Sequence, residues 1–144
     1  MVSTQLPDPL RFFRYLWPAP ITLLAAGAAL LAGEAGASLA LRDGILEASG
    51  GPLGPILRRI YPPMAIGAIT LGHVVLAQDA KSLGRSRQHE QVHVRQYERW
   101  GVVFPLAYLV ASGWALLSGG DPYRDNRFER EAFAADQLDQ VEWS

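Results

Sequence analysis

The chain has 144 residues, 49% of them hydrophobic, a net charge of -1 and a pI near 6.3. That balance supplies no general basic field, so a nucleic-acid role has no electrostatic support. Cysteine is absent, which excludes disulfides and thiolate metal ligands and leaves His, Asp and Glu to hold any metal.

The length suits one domain with an appendage, and the uneven spread of apolar residues points to contact with a membrane. Residues 1–16 set Pro7, Pro9, Arg11 and Arg14 among aromatics and read as an irregular lead-in with a positive tip. From Trp17 to Gly36 the chain is almost wholly apolar, interrupted only by Glu34, and about twenty such residues can span a bilayer. Arg11 and Arg14 favour a cytoplasmic N-terminus, although Arg42, Arg58 and Arg59 follow on the other side. Ala35-Gly36-Ala37 also resembles a small-residue cleavage site. Residues 1–37 are therefore expected to be a lead-in and membrane anchor, with a cleaved signal peptide and a buried Ala-rich helix as the competing readings.

Residues 38–144 make the second unit. Asp43-Gly44 between Ser38–Arg42 and Ile45–Ala48 signals a tight hairpin, and Gly50-Gly51-Pro52 closes it. One or two helical turns over residues 53–60 end at Pro62-Pro63. Ala65 to Ala77 is rich in β-branched residues and reads as a strand, with Gly72 marking a bulge or close backbone approach. If this strand edges the site, Thr70, Leu71, Gly72 and His73 are the residues that would bind an extended peptide by strand addition. Asp79 to Arg87 reads as a polar connection.

His89-Glu90-Gln91-Val92-His93 spells H-E-x-x-H. On a helix the two imidazoles fall one turn apart on one face, able to grip one Zn²⁺, while Glu90 can reach a water at the metal as general base. A helix is expected from Ser86, as N-cap, to Trp100, with Gly101 as its stop. Val92, Gln96 and Trp100 would form its packed back, and His89, His93 and Tyr97 its front. Tyr97, Trp100 and Phe104 are most simply core, and Arg85, Arg87, Arg95 and Arg99 a solvated or headgroup-facing surface. The bland alternative for the motif is a solvated face with two ordinary histidines. Val102 to Ser118 is apolar, with Pro105 near its start, and reads as a helix backing the motif helix or as a second membrane contact. After a loop at 121–125, a last helix is expected from Asn126 to about Leu138.

A catalytic zinc needs a third protein ligand. Glu129-Arg130-Glu131-Ala132 resembles the E-x-x-A motif of gluzincin metallopeptidases, and HEQVHVRQYERWG, YRDNRFEREA and ITLGHVVL resemble an uncharacterised bacterial membrane group within that branch. The resemblance covers about residues 65–136. It implies an α+β, minimal zincin-like domain: a short antiparallel sheet whose edge strand packs on the H-E-x-x-H helix, two further helices, and the hydrophobic N-terminal helix before them. It implies His89, His93 and Glu129 as zinc ligands, with Glu131 as a rival to Glu129. Asn126-x-x-Glu129 also fits a capping box that would turn Glu129 away. Related enzymes place an aspartate four residues after the ligand glutamate to orient a histidine. Here that position is Phe133, with Asp136 one turn on as a substitute. Tyr123, then His73 and Tyr108, are the candidate oxyanion donors.

The resulting expectation is a membrane-associated zinc metallopeptidase acting on a peptide or protein, at the bacterial inner membrane, or secreted if the N-terminal segment is cleaved. A catalytically weak peptide-binding module is one alternative. The other is a polytopic membrane protein in which residues 17–36, 62–78 and 103–118 all span.

Overall fold

Two-residue turns build the sheet. Between β1 (Ser38–Arg42) and β2 (Ile45–Ser49), Asp43 and Gly44 both have positive φ, 51° and 79°, as a twist-compatible hairpin turn requires. Between β3 (Ala68–Leu71) and β4 (Val74–Ala77), Gly72 at φ 64° occupies the first turn position, where only glycine takes that sign easily. The strand expected over 65–77 is thus a hairpin across its described part. These strands belong to a computed structural model that describes residues 9–60 and 67–142. The expected stop at Pro62-Pro63, and Pro7 of the lead-in, lie outside the described residues.

The architecture is α+β. Around the strands are α1 (Pro9–Leu16), α2 (Ala19–Glu34), α3 (Leu53–Ile60), α4 (Ala80–Trp100), a short 3₁₀ turn at Gly101–Val103, α5 (Phe104–Leu117) and α6 (Arg127–Glu142). The strand order is β1-β2-β4-β3, so β3 is an edge. Both hairpins are antiparallel, but β2 and β4 run parallel, with Leu46 opposite Val74 and Ser49 opposite Ala77. The sheet is therefore mixed where an antiparallel one was expected. A parallel pair needs a crossover, and residues 50–73, carrying α3 and β3, supply it.

Strand alternation divides the core into two layers. Ala48, Val74 and Leu76 face α2 and α3, where they meet Ala25, Ala29, Ala32, Leu53 and Leu57. Ile45, Val75 and Ala77 face α4 and meet Leu83 and Val94. Alanines at 25, 29 and 32 give α2 a small-residue face that lets the sheet approach closely, so residues 19–34 and the strands share one core. The close fit continues at the β3–β4 turn, where a Cβ on Gly72 would collide with Thr22. The opposite face of α2 leaves Leu23, Leu24, Leu30 and Leu31 between 58% and 79% exposed. A third cluster, Tyr97, Phe104 and Phe128, joins α4, α5 and α6.

Helix boundaries differ from expectation at two points. The motif helix begins six residues before Ser86: Asp79 caps it, its Oδ1 accepting from the Ser82 amide at 2.7 Å, and Gly84 is carried inside. Ser86 instead bonds back to the Ser82 carbonyl. The last helix runs on to Glu142. Gly101 at φ 61° closes α4 as expected. Among the described residues, one helical stretch, Ala80–Leu117, contains a mostly exposed apolar window long enough to cross a membrane. The apolar window falls in its second half, since α4 carries Lys81, Arg85, Arg87, Arg95 and Arg99. α1 and α2 pass the same test only as a pair bent by 63°.

Candidate metal centre

Helical spacing puts His89 and His93 on one buried face of α4, their ring centroids 4.9 Å apart. α6 crosses that face at Ala132, which is fully buried and offers no bulk to hold the helices apart. The approach brings Glu129 between the imidazoles. Its Oε2 lies 2.9 Å from His89 Nε2 and its Oε1 3.3 Å from His93 Nε2. One ligand atom from each of the three residues lies within 4.8 Å of the others, and all three residues are buried, so the group can hold a metal ion. The donor set of two imidazoles and a carboxylate is one that catalytic zinc takes.

The far side of each imidazole is also held. His89 Nδ1 donates to Asp136 Oδ2 at 3.0 Å, and His93 Nδ1 to Gln96 Oε1 at 2.8 Å. An imidazole that donates through Nδ1 keeps its Nε2 lone pair for a metal. Gln96 is itself fixed, donating to the Phe128 carbonyl and to Glu131 Oε2, both at 3.0 Å. Phe133 packs edge-on against His89, with centroids 4.9 Å apart.

Glu129 does not close a capping box. Asn126 caps α6 from its own side chain, accepting from the Phe128 amide at 2.9 Å, and anchors to Ser112 and the Tyr108 carbonyl. Glu129 is left to the histidines, to Tyr108, whose hydroxyl donates to Oε1 at 2.7 Å, and to the nearby Tyr123 hydroxyl. Burial alone would raise the Glu129 pKa, but the hydrogen bonds and charge of both imidazoles and the Tyr108 hydroxyl hold it at about 2. For His89 burial works downward, and the Glu129 hydrogen bond and charge overcome it, pushing the ring up to about 8. His93 is raised by the same Glu129 contact against the same burial.

Glu90 lies beside this group and outside it. It is 5% exposed, and Thr70 of β3 donates to its Oε2 at 2.5 Å. Burial raises its pKa, while the imidazoles and Thr70 oppose the shift. Tyr123, in the loop before α6, is pushed up by burial and by the negative charge of Glu129 and Glu90. A phenol so placed stays protonated and can donate.

Thr70 is the one residue of the expected peptide-binding run that touches a site side chain. Leu71 packs toward the α2 layer, and Gly72 forms the turn. His73 stacks on Tyr15, with centroids 4.2 Å apart, and its Nε2 meets Glu98 Oε1 at 3.0 Å. Glu131 serves Gln96 rather than the metal group. The residue missed in the sequence is Gln96, assigned there to the packed back. Its signal was a polar side chain three residues after His93, in reach of that ring on a helix. Arg87 also departs from the solvated surface, since it forks onto buried Glu47 of β2 at 2.9 and 3.1 Å. No family model matches the chain, and no curated protein or solved structure does.

Proposed function

We propose that the protein is a membrane-associated zinc metallopeptidase. The observation that carries the reading is the convergence of His89, His93 and Glu129, with a buried, unligating Glu90 carboxylate beside them. Held by His89, His93 and Glu129, a zinc ion would supply Lewis acidity toward water and a scissile carbonyl. Thr70 engages Glu90 Oε2, so Oε1 takes the proton of the attacking water and returns it to the departing amine. The Tyr123 hydroxyl donates to the oxyanion. β3, paired on one side only among the described residues, offers its other backbone edge to an extended peptide running past Thr70.

The outward leucines of α2 and the outer face of α5, where Leu106, Leu109, Val110, Trp114 and Leu117 are 63% to 86% exposed, face lipid in this reading. α4 and α6 then lie outside the lipid-facing segments. The resemblance to a bacterial membrane group makes the inner membrane the expected location. In the polytopic alternative residues 62–78 would span, whereas residues 68–77 form the β3–β4 hairpin.

Metal analysis of the purified chain tests the reading. Wild type should carry one zinc and His93→Ala almost none. Glu90→Gln should keep the zinc and lose hydrolysis of a peptide library about a hundredfold or more. Hydrolysis by Glu90→Gln at the wild-type rate would overturn the mechanism.

A further inference from the structure

An open groove of about 800 Å³ runs beside the metal group, lined by Tyr123, Arg124, Arg130, Phe133, Ala134 and Gln137. Four of these recur along one stripe of α6 at helical spacing, and the other two come from the loop that precedes it. Tyr123 and Phe133 are walls of both spaces: Phe133 packs on His89, and Tyr123 lies against the Glu129 charge. Whatever occupies the groove therefore sits next to the reacting bond.

The charged side chains that line the groove are both arginines. Arg124 and Arg130 line it with no ion pair to a carboxylate among the described residues. Of the acids nearby, Glu129 is engaged with both histidines and Asp136 with His89, while Asp121 accepts from the Arg124 backbone amide at 2.7 Å and acts on Arg124 through its charge without pairing with the guanidinium. Two guanidiniums between an aromatic wall and the amide of Gln137 match a carboxylate, which arginine binds through paired hydrogen bonds.

We propose that this groove reads a carboxylate on the peptide beside the scissile bond, through Arg124 and Arg130. The proposal rests on the peptidase reading and names its substrate class. The carboxylate is the peptide's C-terminus or an acidic side chain.

The test uses the full-length, zinc-loaded Glu90→Gln protein and four labelled peptides that differ only at the groove position: internal Glu or Gln, and terminal acid or amide. Equilibrium binding should favour a carboxylate about tenfold. The preference should vanish in an added Arg124→Gln/Arg130→Gln pair whose circular dichroism and zinc content are unchanged, and return in part with lysine at both positions. Preference within the acid and amide pair assigns the C-terminus; preference within the Glu and Gln pair assigns a side chain. Equal binding of all four peptides removes the subsite and leaves the peptidase reading standing. Binding of none removes both. A double variant that loses affinity for phosphatidylglycerol vesicles while keeping the peptide preference would make these arginines headgroup contacts and overturn the proposal.

Discussion

Asp136 reaches His89 Nδ1 at 3.0 Å from a position one turn beyond Phe133, which packs its ring edge-on against the same imidazole. A carboxylate thus reaches the histidine from one turn further along α6, and the aromatic fills the space nearer Glu129. Asp136→Ala should weaken zinc binding about tenfold, and Gln96→Ala should do the same through His93. Competition with a zinc chelator measures both. Unchanged affinity in either variant would mean that the neighbouring packing alone orients the ring.

In metal-free protein the two signs of shift meet in one pH window. Glu129, lowered to about 2, contributes stability that is present above its ordinary value of 4.5 and lost as pH falls toward 2. His89, raised to about 8, contributes stability that is present below 6.5 and lost as pH rises through 8. Metal-free protein should thus resist urea best between pH 4.5 and 6.5, and its midpoint should fall by pH 8.5. Zinc needs neutral imidazoles, so loaded protein should not weaken across that upper range. An equal alkaline loss in His89→Ala would assign the effect to other groups.

Thr70→Val removes the one side-chain donor that β3 gives to Glu90. Burial then acts with less opposition, so the acid limb of the pH profile should move to higher pH, and stability should fall by about 1 kcal/mol. Rates measured across pH on one peptide decide this. A profile that keeps its acid limb in place would show that Thr70 does not tune the base.

α2 should answer substitutions differently on its two faces. Ala29 is fully buried against the sheet, and Ala29→Leu should cost about 1–3 kcal/mol by overpacking. Leu24 is 79% exposed, and Leu24→Ser should leave the denaturation midpoint in detergent within about 0.5 kcal/mol of wild type while weakening partition into vesicles. Equal destabilisation by both would mean that the leucine face is covered by protein.

The sequence was most legible where a single residue type has a single mechanical use. Asp43-Gly44, Gly101 and the spacing of His89, Glu90 and His93 each demand a backbone or a face that the fold then takes. Asp79 and Ser86 are both capping residue types; the fold uses Asp79, and Gly84 is carried inside α4 beside Leu83, which packs in the core under the sheet. α2 is apolar all round, which gives periodicity nothing to act on. Its inward face became visible only through the alanines that meet Val74 and Leu76. Gln96 read as packing and Arg87 as surface because each satisfies a partner far away in the chain, the Phe128 carbonyl and Glu47.

Glu129 comes from the last helix, whereas both histidines belong to the fourth. During synthesis the imidazole pair therefore emerges well before the carboxylate that completes the set. Until α6 docks, a passing metal finds two donors in place of three, and Glu90 stands beside a centre with no fixed third ligand. The three-donor set is thus completed only when α6 docks onto α4 and brings Glu129 to the imidazole pair.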